Sequence, residues 1–138
     1  MIGTDFANVE PVSPEIKSFR DLVAWQKAME FADVVYTLTE RFPPREWVGL
    51  SLQMRKAAVS IASNIAEGHR RRRPVYRNHL EIALGSHGEL ETQSILAGNR
   101  KFIVGTNRAQ LDSLIAEVGR LLHGLFNSLP PLTPNPSP

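Results

Sequence analysis

Between Ser18 and Leu129 the sequence repeats one device four times: apolar side chains three and four residues apart, closed by proline or glycine. That spacing puts the apolar residues on one side of an α-helix. The last repeat is the clearest, with Leu111, Leu114, Val118, Leu121 and Leu125 in line and Ile115, Leu122 and Phe126 beside them. Four such stripes have to cover one another, and this constrains the chain more than any other feature.

The first helix opens at Ser18-Phe19-Arg20-Asp21, which fits a capping box with Asp in place of Glu. Its stripes are Leu22, Trp25, Met29, Ala32, Tyr36 and Ala28, Phe31, Val35, Leu38, Phe42, and Pro43-Pro44 stops it. The second begins near Ser51, a plausible N-cap, and runs to Glu67 with Gly68 as its stop. The third starts at Pro74, which suits a first helical position, and ends near Ala97 before Gly98-Asn99. The fourth caps at Thr106 and runs to Leu129. No convincing strand competes. The pattern predicts an all-α fold, an antiparallel up-down four-helix bundle over 18–129. It also predicts a loose N-terminal arm over 1–17 and a disordered, proline-rich tail over 130–138, where PPLTPNPSP cannot form a regular helix. The stripes of helices 1 and 2 are wider than one seam requires. Either those helices are deeply buried, or an outer face packs on another subunit.

The absence of cysteine excludes disulfides, thiolate ligands and cysteine nucleophiles, and suits a reducing cytoplasm. No apolar run is long enough to span a membrane, and the first residues lack the basic flank and apolar core of a secretory signal. Charge is placed unevenly. The net charge of +2 divides into −3 for residues 1–54, +6 for 55–79 and −1 for 80–138. The basic block contains His69-Arg70-Arg71-Arg72-Arg73, followed by Arg77. In an up-down bundle the turn between helices 2 and 3 lies at the end where helix 1 begins and helix 4 finishes. Arg70, Arg71, Arg72, Arg73 and Arg77 then gather with Lys17 and Arg20 at one end, and Arg100, Lys101 and Arg108 lie at the other.

Enzyme chemistry finds little support. There is no Glu-x-x-His pair for a di-iron bundle, no phosphate loop and no serine with an evident base. His87 and Glu91 share a helical face, but two ligands do not make a metal site; a polar contact inside the bundle is the better reading. No cofactor is implied. A structural polar motif does run through helices 2 and 3: Arg55, Asn64, Glu67, Ser86, Glu89 and Glu91. Arg55 falls beside the Leu52–Val59 stripe, and Glu91 falls in line with Leu84 and Ile95. A charge on an apolar face needs a partner, so the economical reading pairs Arg55 with Glu91. Gly85 and Gly88 stand in mid-helix, where each costs about 1 kcal/mol relative to alanine, and are read as sites of close backbone approach.

Several stretches carry a family resemblance. They are Phe19, Leu22 and Trp25-Gln26-Lys27-Ala28; Phe42-Pro43 and Glu46; Gln53, Arg55, Ala57-Ala58 and Ser60-Ile61; Asn64-Ile65-Ala66-Glu67-Gly68; and Gly85-Ser86 with Glu89-Leu90-Glu91-Thr92. Over about residues 19–129 the chain resembles the bacterial four-helix-bundle family of 23S rRNA intervening-sequence proteins, relatives of the accessory variability determinant of diversity-generating retroelements. Lys56 stands where arginine is commoner, and His87-Gly88 fill a slot usually less polar. The resemblance implies an up-down bundle assembled as a cyclic homopentamer without known catalysis. In the retroelement branch it implies binding to RNA and to a partner reverse transcriptase.

Two functions follow as expectations. One is a non-enzymatic, oligomeric nucleic-acid-binding accessory, directed to RNA or another polyanion, that grips phosphates through Arg70, Arg71, Arg72, Arg73 and Arg77. The other is a structural or protein-interaction scaffold in which the arginines form a solvated turn. Tyr76 follows the core stripe with Leu80 and Ala83 and is read as core; the competing reading stacks it on an unpaired base.

Overall fold

The computed structural model describes residues 15–130. The arm and tail expected at the two termini lie almost wholly outside them. Four helices and no strand are found among the described residues: α1 Val23–Thr39, α2 Leu50–His69, α3 Arg73–Asn99 and α4 Gly105–Ser128. Single 3₁₀ turns precede α1 at Phe19–Asp21 and α2 at Pro44–Glu46. At 1.5 Å per residue the helices span about 26 to 40 Å.

Cross-helix contacts show that neighbours run antiparallel. Ser60 meets Ser86, and Asn64 meets His79 further on, between α2 and α3. His87 reaches Ile115, while Arg77 reaches Leu129, between α3 and α4. α1 closes the ring, with Lys27 beside Glu117 of α4 and Thr39 beside Arg55 of α2. The result is a four-helix bundle. Its core holds Phe31, Val35, Met54, Ile61, Ile65, Leu80, Leu90, Leu111, Val118 and Leu122, all fully buried; those of α1 and α4 lie on the sequence stripes. Tyr76 is core too, and burial pushes its phenol up to about 12.

Helix boundaries differ from the sequence reading for local reasons. The Ser18/Asp21 capping box forms, but it caps the Phe19–Asp21 turn. Leu22 is then extended and α1 starts at Val23, with the Gln26 amide donating to Arg20 O at 2.8 Å. Ser51 is not an N-cap. It is buried inside α2, whose N-cap is Gly49, and the Glu46 carboxylate accepts from Leu50 N at 3.2 Å. α4 is capped by Val104 and not by Thr106. α3 continues past Gly98 to Asn99. Its left-handed C-terminal residue is Lys101 at φ 63°, with Phe102 N bonded to Ala97 O and Lys101 N to Gly98 O, a Schellman closure. The Arg108 guanidinium lies over Gly98, in the space a Cβ there would take.

The remaining glycines divide sharply. Gly68 does not stop α2, which runs one residue beyond it; it is buried where α2 and α3 touch. A Cβ at Gly68 would lie 2.7 Å from His79 Cβ and 2.9 Å from Tyr76 Cδ1. Gly119 likewise leaves room for the His87 ring, 2.9 Å from where its Cβ would stand. Gly85 and Gly88 face open space, contrary to the close approach expected of them. Gly68→Ala is therefore expected to destabilise the fold by about 1–3 kcal/mol, as overpacked contacts do. Gly85→Ala is expected to stabilise it by up to about 1 kcal/mol. Urea unfolding of both variants checks the contrast, and a Gly68→Ala midpoint at the wild-type value would contradict the close approach.

Candidate nucleic-acid interface

The turn between α2 and α3 is short because both flanking helices are pinned by side chains. Asn64 donates from Nδ2 to Ser60 O at 2.8 Å and to Ser60 Oγ at 3.2 Å. This leaves Asn64 Oδ1 as the acceptor for His79 Nδ1 at 2.9 Å, so His79 carries its proton on Nδ1. One turn away, the hydroxyls of Ser60 and Ser86 meet at 2.7 Å. Asn64 and Ser86 of the expected polar motif are thus brought together in a ladder along the α2–α3 seam. Beyond the ladder, Arg70 ends α2, and Arg72 turns extended (φ −63°, ψ 156°) to cap α3.

The bundle topology gathers the arginines as expected. Arg20 and Arg70 both lie over the ring of Phe19, at 4.9 and 5.1 Å from its centroid. Phe19 itself packs edge-on against Trp25 at 5.2 Å. Arg71 pairs with Glu67 one turn back, Nη2 to Oε1 at 2.8 Å. That hydrogen bond, and the Arg71 charge behind it, hold the Glu67 carboxyl below the usual carboxylate range, with smaller contributions from His79 and Arg70. Arg72 and Arg73 are exposed and make no hydrogen bond or ion pair among the described residues. Nearby, the Asp21 carboxylate is occupied by the Lys17 and Ser18 amides at 2.9 and 3.1 Å.

Arg77 has a different task. Its guanidinium sits 3.9 Å above the Phe126 ring and donates to Leu129 O at 3.2 Å and to Phe126 O at 3.5 Å. It closes the C-terminus of α4, where carbonyls lack helical donors. In the sequence reading it belonged to the phosphate grip; in the structure it is committed to the fold.

The Arg55–Glu91 pair does not form. Arg55 Nε donates to Thr39 Oγ1 at 2.8 Å and Nη2 to Tyr36 O at 3.2 Å, so it caps the end of α1. Its guanidinium lies between Tyr36 and Trp47, at 4.6 and 4.9 Å from their centroids. Glu89 and Glu91 are exposed on α3, and Glu89 accepts from Gln93 at 3.2 Å. On the stripe that carried Glu91, Leu84 packs against the core, but Ile95 further along is 50% exposed. His87 is not matched to Glu91 either. Its Nε2 donates to Ile115 O at 2.7 Å, across α3–α4, beside Gly119. It is a polar contact inside the bundle, as the sequence reading preferred for His87, with a partner, Ile115 O, that the reading did not name. Among the described residues no group of three or more His, Asp or Glu could hold a metal ion. Among the described residues no helix is long and apolar enough to cross a membrane.

Among known families, the 23S rRNA-intervening sequence protein model matches the chain over residues 20–124. The chain belongs to the 23S rRNA-intervening sequence protein family. The matched span includes the α2–α3 ladder and every arginine of the turn. The fold is also similar to the 1.70 Å crystal structure of a protein of unknown function from the S23 ribosomal protein family of Bacteroides thetaiotaomicron. The two are 24% identical, over 76% of this chain and 96% of that one, with a TM-score of 0.70. No curated protein matches the chain.

Replacing Arg77 with alanine leaves the Leu129 carbonyl without its donor, while Phe126 O keeps the Leu129 amide, and removes the stacking of a cation on Phe126; it is expected to cost about 1–2 kcal/mol. Glu91→Ala is expected to stay within about 0.5 kcal/mol of wild type, as exposed substitutions do. Denaturant midpoints of the two variants check the assignment, which a large drop for Glu91→Ala would reverse.

Proposed function

We propose that this family member is a non-catalytic RNA-binding accessory protein that holds phosphates on the arginine rim at the α2–α3 turn. The observation that carries the reading is the pair Arg72 and Arg73, adjacent, exposed and without a carboxylate partner among the described residues. Arg70 and Arg20, stacked on Phe19, extend the same positive end. Arginine contacts to phosphate are sequence-independent and release counterions, so such binding weakens steeply with salt.

Self-association belongs to the proposal. A cyclic pentamer, the assembly implied by the resemblance, would repeat the +6 block of residues 55–79 to about 30 charges and focus the field of the rim. Exposed apolar residues support assembly: Trp47 is 60% and Val48 78% exposed, and Tyr36, Leu52 and Val59 line a hollow of ≈ 430 Å³ with Arg55 and Lys56. These same residues favour the second reading, a scaffold that docks a protein, and a reverse transcriptase is the partner that the resemblance suggests. On either reading the protein works in the cytoplasm.

The double variant Arg72→Ser/Arg73→Ser separates the two. It is expected to fold normally, to bind RNA more weakly, and to lower the slope of log affinity against log salt by about 2, one for each phosphate no longer neutralised. Unchanged affinity and slope would leave the scaffold reading standing.

A further inference from the structure

Residues 55–79 hold seven basic side chains and a single acidic one, Glu67. An anion amid a phosphate grip weakens its electrostatic hold. Helix stability does not account for the residue. Glu67 lies close to the C-terminus of α2, where the helix dipole disfavours a carboxylate. Its exposed pair with Arg71 is of a kind that contributes little.

Glu67 opens on a hollow of ≈ 260 Å³ whose other lining residues are Phe19, Ser63, Ala66 and Arg70. The hollow combines an aromatic ring, a guanidinium 5.1 Å from its centroid, a methyl wall and a hydroxyl. Unpaired bases stack on aromatic rings and on arginine planes, and are read along their Watson–Crick edges. Arg71 keeps the Glu67 carboxyl ionised by bonding Oε1, while Oε2 accepts no hydrogen bond among the described residues. An ionised carboxylate only accepts. Of the four RNA bases, guanine alone presents two adjacent donors on that edge, N1–H and the N2 amino group, spaced to match the two oxygens of a carboxylate.

We propose that this hollow is a base pocket for guanine in single-stranded RNA: the base stacks on Arg70 and donates N1–H and N2–H to Glu67, and Arg72 and Arg73 hold the flanking phosphates. The pocket rests on the RNA-binding reading and adds a base preference to it. Glu67 is then the residue that turns a sequence-blind grip into a selective one.

The test measures anisotropy of three labelled RNAs: a short oligouridylate, the same strand with one central guanosine, and the same strand with inosine there, which lacks the N2 amine. The full chain is expected to prefer the guanosine strand over oligouridylate by about tenfold, the usual scale for one bidentate contact, and inosine should lose most of that preference. In Glu67→Gln the ratio should fall to about one, even as loss of a negative charge tightens all three complexes. Thermal melting confirms that this exposed substitution leaves the fold intact. Equal, salt-sensitive affinity for all three strands would overturn the pocket and leave the grip. A guanosine preference that survives Glu67→Gln would overturn the assignment to Glu67. Failure to bind any strand at low salt would overturn the grip and the pocket together.

Discussion

The close contact between α2 and α3 at Gly68 is the constraint on which the rest of the structure hangs. Gly68 lets the backbone of α2 lie against Tyr76 and the His79 Cβ. That approach brings Asn64 within hydrogen-bonding reach of His79 and Ser60 within reach of Ser86. A polar ladder of this kind is costly to break in part, because each partner left behind is a half-buried group without its bond. The ladder therefore fixes both the spacing and the register of the two helices. The turn joining them is short: Arg70 lies over Phe19, Arg71 bonds back to Glu67, and Arg72 and Arg73 stay exposed.

That end separates cations that build the fold from cations that are available to a ligand. Arg77 ties α3 to the carbonyls at the end of α4, and at the opposite end of the bundle Arg55 does the same for the end of α1. Both also lie over aromatic rings, which lowers the cost of covering a guanidinium. Arg20 and Arg70 are held over Phe19 while remaining exposed. Arg72 and Arg73 have nothing to hold. The rim is thus a graded surface. Anchored guanidiniums frame two unpaired ones, which suits a flexible polyanion that meets the outermost charges first.

The sequence revealed the helices because a three-and-four spacing survives any exchange of one apolar residue for another, and the large buried apolar residues of α1 and α4 fall on the stripes drawn from it, while Met29 and Tyr36 of the first α1 stripe stay exposed. It revealed which arginines share an end because short loops leave a bundle little choice. It misplaced Glu91 because one helical stripe looks like another until neighbours cover it: Leu84 packs against the core, but Glu91 and Ile95 further along are exposed. It misassigned Arg55 because charge suggests a charged partner, whereas the partners here are two aromatic faces, a threonine hydroxyl and a carbonyl. Arg77 was read as a ligand group for the same reason. The glycines were legible only as exceptions. Whether a helical glycine marks close approach, as at Gly68 and Gly119, or open space, as at Gly85 and Gly88, depends on the opposite helix.

The central claim is that the α2–α3 turn forms a multiplied electrostatic grip for RNA. The most direct measurement is the affinity of the wild-type protein for single-stranded RNA across a salt series, with the mass of the protein determined in the same buffers. The account predicts tight binding at low salt that falls steeply as salt rises, from a species containing several chains. A stable species of any size that ignores RNA at low salt would contradict it.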